Sequence, residues 1–400
     1  MTTKLVWRNI WRNKTRTTVF LLAAFFGFAM ALFTLNLMKS ISQQRLDDAK
    51  NLQTSDLQIH KMGFQDDKDI TLFIPNAENV IQKVKENANV DVVAKRISTN
   101  AVAASPENSI GCEIKGVEPT TEREISVVQD FLVEGSYLST DMRMPILISK
   151  KTADKLKLKL KSKIIITLKN TQEEIVGGSF RVAGIFATPS TPFDENTVIV
   201  NYTDLQELGS ISEPQEIAIK IKDPTKLIET QSGIQETLSA EYEVNNWKEL
   251  LPELNAFDAF INMVGVLFTI IVILGLGFSL MNIMNMIVQE RTHEIGMLRA
   301  IGQSKFKVFS MLLNEAGVLM MIGAVSGILF GYVLTLIASK VGVPISSGLD
   351  MLGIRPVMYP KLNPEIIIMV IVIAKILTVA IASIPAYRAM RIKPNGVLRD

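Results

Sequence analysis

The chain has 400 residues, 48% of them hydrophobic, with 42 Lys and Arg against 40 Asp and Glu, a formal net charge of +2. That balance, with a mean hydropathy of +0.26, excludes a basic nucleic-acid-binding protein and a wholly soluble one, and leaves a mixture of membrane and soluble parts. Cys112 is the single cysteine, so no internal disulfide forms, and the two histidines, His60 and His293, have no ligand-like spacing around them, so no metal site is expected.

The first apolar span is Val19 to Met38. Lys4, Arg8, Arg12, Lys14 and Arg16 precede it, and no acid follows until Asp47. A signal peptide fits poorly, because the run is longer than a signal core and Asn36-Leu37-Met38-Lys39 offers no small-residue cleavage site. A retained membrane helix is expected, preceded by a short amphipathic surface helix carrying Trp7 and Trp11. Residues 39–256 then form a long polar stretch. Runs rich in β-branched residues predict strands at Leu57–His60, Ile110–Val117, Lys163–Leu168, Phe180–Phe186, Thr197–Asn201 and Glu216–Ile221. Helical periodicity fits Asn76–Ala88, Lys151–Leu158, Tyr202–Leu208 and Pro224–Ser239, and Thr188–Pro192 reads as a loop. Within Lys169–Ser179, Gly177-Gly178 reads as the turn of a hairpin.

From Ala259 to Val288 thirty residues pass without a charge, more than the roughly 20 that cross a hydrocarbon core. Two further spans follow, Ala316 to Ala338 and Ile366 to Ala386. Charge is distributed unevenly around these four spans. Residues 39–257 carry a net of −8, whereas the N-terminal arm, 289–311 and the tail from Arg388 together carry +10. Positive charge collects in the short cytoplasmic segments of membrane proteins, so both termini are expected in the cytoplasm. The expected division is 1–17 amphipathic helix, 18–38 first membrane helix, 39–256 extracytoplasmic α+β domain, and 257–288 second membrane helix. Beyond it come 289–311 cytoplasmic segment, 312–338 third helix, 339–364 outer loop, 365–387 fourth helix and 388–400 cytoplasmic tail. The fold class is thus membrane α-helical, four transmembrane helices with a large α+β domain inserted between the first two.

Three features invite a functional reading. In Gln289–Gly302 the apolar residues Ile295, Leu298 and Ile301 are three apart, and Glu290 and Glu294 sit four apart, a like-charge pair that costs a helix a few tenths of a kcal/mol. A basic partner would relieve it; an ordinary solvated linker is the alternative. Lys375 lies mid-span, where a lysine costs roughly 2.5–3.5 kcal/mol, so it is a site candidate unless its stem snorkels or it faces a dimer seam. Lys150–Lys163 holds seven lysines, read as a solvated helix end and edge strand, with an acidic or lipid partner as the alternative. Gly323, Gly327 and Gly331 recur every four residues and would admit a close helix neighbour, and Glu315 reads as interfacial.

The run Glu290-Arg291, Glu294-Ile295-Gly296, Leu298-Arg299-Ala300 and Gly302 resembles the coupling segment of the MacB/FtsX superfamily of ABC-transporter permeases. Leu5–Lys14 resembles the basic helix that leads into the membrane in that family. Ile384-Pro385-Ala386-Tyr387-Arg388-Ala389 with Lys393-Pro394 and Leu398-Arg399 resembles the exit from its last helix. Asp56–His60, Gly116–Pro119, Phe131–Gly135, Arg181–Phe186 and Val198–Asn201 are similar to pieces of the outer domain in the lipoprotein-releasing, LolC/LolE-like branch. The resemblance implies a permease subunit that uses a separate ATPase to extract lipoproteins from the outer leaflet of the bacterial inner membrane. It also implies that Glu290, Arg291, Glu294, Ile295, Gly296, Leu298, Arg299, Ala300 and Gly302 dock on that ATPase. Phe25, Phe26, Phe28 and Met30 with Met263, Leu267, Ile271 and Leu274 are candidate lining for the cargo's acyl chains, or simply lipid-facing.

The partners implied are a LolD/MacB-type ATPase dimer, a second permease subunit (identical or a paralogue), a lipid-anchored cargo and a periplasmic acceptor; no nucleic acid is expected. No G-x-x-x-x-G-K-[ST] loop occurs in the sequence, so no cofactor is expected on this chain, and ATP with Mg²⁺ would belong to the ATPase. The short Lys169–Ser179 segment leaves no room for the hook by which LolC recruits its carrier. The alternatives are an FtsX-like regulator of a cell-wall hydrolase and an exporter of peptides or small amphiphiles. No catalytic constellation is readable.

Overall fold

In the computed structural model, residues 11, 13–138, 142–345, 354–355 and 357–391 are described. The expected amphipathic helix and most of the tail lie outside them. Contacts divide the chain into two units, one of Met1–Ser42, Phe257–Pro344 and Val357–Asp400, the other of Gln43–Ala256 and Ile345–Pro356.

The first unit is helical. Its elements are α1 (Lys14–Ala49, whose last turns belong to the second unit), α2 (Pro252–Glu290), α3 (Thr292–Ala300), α4 (Lys305–Val341) and α5 (Pro364–Met390). At 36, 39, 37 and 27 residues, α1, α2, α4 and α5 all exceed the roughly 20 needed to span a bilayer. The glycine row on α4 is where α1 lies. A Cβ at Gly323 would stand 2.5 Å from the Ala24 Cβ, one at Gly327 2.5 Å from the Phe25 carbonyl, and one at Gly331 2.8 Å from that of Ala29. Only hydrogen fits, so the backbones meet and dispersion acts over the whole contact. Phe20, Ala24, Phe28 and Leu32 of α1 join Leu280, Met284, Leu312, Leu319 and Ala382 in one core. At the other end Asn36 accepts a hydrogen bond from the Asn363 amide (2.8 Å) and Ser40 from that of Lys361 (2.8 Å), supplying partners where α5 begins.

The second unit is built on a ten-stranded mixed sheet with the path β10-β1-β9-β2-β3-β8-β5-β7-β4, in which β6 pairs with both β2 and β7. The strands are β1 Leu57–Lys61, β2 Val90–Ala104, β3 Ser109–Val117, β4 Leu132–Gly135, β5 Pro145–Ser149, β6 Lys163–Lys169, β7 Ile175–Phe186, β8 Thr197–Asn201, β9 Glu216–Ile221 and β10 Tyr242–Asn246. Two lobes share the long β2. In one, the antiparallel order β10-β1-β9-β2 with helices Ala77–Lys85 and Leu227–Thr237 makes a split βαβ motif around Leu57, Ile59, Val80, Ile219 and Ile234. In the other, β2-β3-β8-β5-β7-β6 returns to β2, so six strands close on themselves around Ile97, Ile114, Ile146, Ile166, Phe180 and Val198.

The β6–β7 hairpin corrects one expectation. Gly177 and Gly178 lie inside β7, opposite Thr167 and Ile166, and the turn is 170–174. Asn170 makes it by accepting from the amides of Gln172 (3.0 Å) and Glu174 (2.9 Å), a side-chain turn that outcompetes the glycine pair. Gly178 packs closely instead, since a Cβ there would lie 3.0 Å from the end of the Leu208 side chain, which would have to give way. The loop expected at Thr188–Pro192 passes into a helix at Thr191–Asn196.

Candidate functional site

The segment after α2 forms a clasped helix. α2 ends at Glu290, and Arg291 leaves helical geometry (φ −110°, ψ 13°), so α3 is a separate helix from Thr292. Gly302 terminates the turn beyond α3 with φ +93°, while the Gly302 and Gln303 amides bond the Arg299 and Leu298 carbonyls.

Both glutamates have partners within the chain. Arg16 of α1 grips Glu290 with two hydrogen bonds of 2.7 and 3.2 Å, and Arg291 donates to Glu294 at 2.8 Å. The reading of Glu290 and Glu294 as an unrelieved pair awaiting a basic partner is therefore corrected. They lie on different helices and each has its arginine; the Arg16–Glu290 pair is bidentate, a geometry that favours Arg over Lys, whereas Arg291 makes one hydrogen bond to Glu294. Glu315, read as interfacial, is 1% exposed within the helical unit and accepts from Arg291 at 3.0 Å. Arg299 donates to the Met390 carbonyl at 2.8 Å, at the last turn of α5. α3 is thus tied to α4 through Arg291 and to α5 through Arg299, and Arg16 ties the start of α1 to the end of α2.

The apolar residues of this segment divide. Ile295 is fully buried with Gly296, and Leu298 is half-buried. Ile301, with which they were grouped, is 77% exposed because it follows the turn out of α3. Met297, Ala300 and Gly302 are exposed too, and so is Phe306 at the start of α4, at 75%. Met297, Ile301 and Phe306 are exposed apolar residues of this stretch, and of these Met297 and Phe306 were not singled out in the sequence. The 297–301 spacing was a helical signal, but nothing in the sequence separates these outward residues from the buried Ile295.

The acyl-chain candidates also divide. Phe28 is 3% exposed within the helical core, and Phe25 is half-buried with its ring 5.1 Å from Phe330 of α4. Both belong to the α1–α4 contact, and Phe28 in particular cannot line a path while it fills that core. Phe26, Met30, Met263, Leu267, Ile271 and Leu274 are exposed. Lys375 is exposed midway along α5, between Ala374, which is buried, and Ile376, which is 62% exposed.

In the second unit the strongest electrostatics are structural. Arg96, 1% exposed, donates to Glu122 at 2.9 and 2.8 Å and to Glu216 at 2.8 Å. Burial alone would raise the Glu216 carboxyl, but the His60 ring 3.7 Å away and the charges of Arg96 and Lys115 outweigh it and hold Glu216 well below the usual carboxylate range. Burial pushes the Cys112 thiol up to about 12, which makes it a core residue and not a nucleophile. In the lysine cluster Lys157 pairs with Glu107 at 2.6 Å, and Lys151 and Lys155 flank Glu195 at 3.9 and 3.7 Å, so local acids take up part of the charge. No group of three or more His, Cys, Asp or Glu is poised to hold a metal among the described residues.

A family model described as FtsX-like permease C-terminal matches residues 266–394, which run from within α2 through α5. The chain is 25% identical over 299 residues to the lipoprotein-releasing system transmembrane protein LolC of Xylella fastidiosa (strain Temecula1), covering 72% of each protein. It is 29% identical over 231 residues to the pyoverdine export ATP-binding/permease protein PvdT of Pseudomonas fluorescens (strain Pf0-1), covering 54% of this chain and 35% of that protein. Among solved structures, the periplasmic region of MacB from Actinobacillus actinomycetemcomitans aligns at 12% identity and a TM-score of 0.36, over 55% of this chain and 98% of that one. Residues 266–394 thus match an FtsX-like permease C-terminal domain, in a chain with four helices long and apolar enough to cross a membrane and with similarity to LolC and to permeases of the MacB type.

Proposed function

We propose that this chain is the membrane subunit of an ABC transporter that releases lipid-anchored proteins from the outer leaflet of the bacterial inner membrane, driven by a separate ATPase. Its termini and α3 face the cytoplasm, as the +10 net charge of those segments favours. Two such subunits, identical or paralogous, sit over two ATPase copies, which bind the ATP and Mg²⁺; this chain holds no cofactor.

The observation that carries the reading is the state of α3. A helix tied at Arg291 and Arg299 yet exposing Met297 and Ile301 moves with α4 and α5 when its outer face is pushed. In this mechanism the ATPase pair closes, displaces Met297, Ile301 and Phe306, and the Arg16–Glu290 clasp passes the displacement to α1 and α2. Those two helices carry the chain into and out of the outer unit. Phe26 and Met30 of α1 with Met263, Leu267, Ile271 and Leu274 of α2 remain candidates to accept acyl chains. The similarity to LolC supports the lipoprotein reading, and the similarity to PvdT keeps small-amphiphile export as an outcome of the test.

The test is reconstitution with the partner ATPase in proteoliposomes holding a triacylated lipoprotein and, separately, a small amphiphile. ATP-dependent appearance of the lipoprotein in the supernatant is expected. ATP-dependent loss of the amphiphile with the lipoprotein retained would replace this reading with the exporter. ATP hydrolysis stimulated only by an added cell-wall hydrolase would replace it with the FtsX-like regulator.

A further inference from the structure

Within the sequence of the four spans, Val19–Met38, Ala259–Val288, Ala316–Ala338 and Ile366–Ala386, Lys375 is the single charged residue. α5 turns Ile366, Val370, Ala374 and Leu377 into the helical core. Its opposite face is exposed along Ile368, Val372, Lys375 and Val379. Successive spacings of four, three and four give that stripe the repeat of a helix–helix seam. Its three apolar residues are β-branched, with little rotamer freedom to lose against a neighbour. Among the described residues, no ion pair or hydrogen bond holds the Lys375 ammonium.

Depth decides what can reach that ammonium. At about 1.5 Å of rise per residue, the Lys375 Cα stands about 13 Å along the axis from Ile366 and about 16 Å from Ala386. An extended lysine stem, five bonds of about 1.5 Å each, reaches roughly 6 Å. The charge therefore stays inside the apolar span, short of the lipid phosphates. A second copy of this chain offers no remedy, because its spans hold no carboxylate and its own Lys375 would add a like charge. The counter-charge has to arrive at mid-depth on another molecule. A carboxylate on a membrane helix meets that requirement, since a helix satisfies its own backbone in hydrocarbon and carries the acid to the right level.

We propose that the exposed stripe of α5 is a docking face for a transmembrane helix of a different protein, one carrying Asp or Glu near its midpoint. Ile368, Val372 and Val379 pack against that helix, and Lys375 pairs with its carboxylate. Either charge alone in hydrocarbon is costly; paired, they neutralise one another and the ammonium donates charge-assisted hydrogen bonds. A single charged position in an apolar seam also fixes register and partner, because a helix with leucine at that level would leave the lysine bare. The contact involves α5 alone and does not depend on what the permease moves.

The test puts the photoreactive residue p-benzoylphenylalanine in place of Ile376, which is 62% exposed beside Lys375, in the full-length chain. In the native membrane, the mapped adduct should join α5 to a span with Asp or Glu within about one turn of its midpoint. An adduct to lipid alone, or to a second copy of this chain, would overturn the proposal. The strength of the pairing is read in phosphatidylcholine proteoliposomes, with a synthetic helix of about 20 leucines and alanines carrying one central Glu. That helix should crosslink about tenfold more than its counterpart with a central Leu, a ratio corresponding to about 1.4 kcal/mol. Lys375→Met should erase the preference, and Lys375→Glu should transfer it to a helix with a central Lys. Because Lys375 is exposed, Lys375→Met should leave the circular dichroism unchanged. Equal crosslinking of the Glu and Leu helices, or loss of the preference when phosphatidylglycerol is added, would show instead that the lysine is served by lipid.

Discussion

At Arg96 one side chain decides the centre of the outer unit. It sits in β2 with no solvent contact to speak of, and its guanidinium neutralises two carboxylates from different elements, Glu122 and Glu216. Arg96→Met would strand both, at a cost of about 3–5 kcal/mol, which hydrogen exchange of β2 and β9 amides in the full-length protein would report. Replacing Glu122 and Glu216 by leucine as well should recover much of the loss, because it is the unpaired charge that is costly. The same network fixes one pH response. Since Glu216 is held below its ordinary value of 4.5, its contribution is complete above that pH and is lost as the pH falls through the lowered value. Asp194 responds in the opposite sense. Burial raises it from 3.8 to about 6 against its hydrogen bonds from Thr188, so the folded state holds a proton that the unfolded state has released between those values. Stability at Asp194 therefore falls as pH rises through that window. Asp194→Asn is expected to flatten the pH dependence of exchange in 188–196; an unchanged profile would refute it.

Two elements carry the mechanical argument. α4 meets α1 along Gly323, Gly327 and Gly331, and a side chain at Gly327 has the Phe25 backbone in its way. Gly327→Leu must separate the helices, and a loss of about 1–3 kcal/mol is expected, read as a lower thermal midpoint of the detergent-solubilised protein. α3 is the other. Because Glu290 and Glu294 are engaged by Arg16 and Arg291, charge reversal at the glutamates would disrupt the clasp itself and could not report on docking alone. Met297→Asp with Ile301→Asp alters the exposed face and leaves the clasp intact. Co-purification of the ATPase should fall at least about tenfold, as expected for hot-spot residues, with the permease still inserted; undiminished co-purification would place the contact elsewhere.

For the whole molecule, the hydrophobic clusters of the outer unit are drawn entirely from residues 43–256. That segment, produced without the spans, is expected to fold cooperatively with β-rich circular dichroism, and a non-cooperative melt would show that it depends on the membrane part. The loss of Arg355, which donates to Asp48 at 2.9 Å, is then the main ion pair forgone. The sequence alone was sufficient for the four spans and most strands of the insert. These signals are local, since a run of apolar residues or a β-branched alternation needs no partner to be visible. It was not sufficient for β2, whose 15 residues carry Lys95, Arg96, Ser98 and Asn100 and so break the alternation. Those polar groups became compatible with a central strand only when Glu122, Glu216 and Glu113 arrived from elsewhere in the chain. The coupling segment followed the same rule. Its position after the charge-free run and its glycine stop were legible, but whether its glutamates were free or clasped depended on Arg16, 274 residues away from Glu290. Pairing across such distances is a property of packing, and only the folded chain brings the charges together.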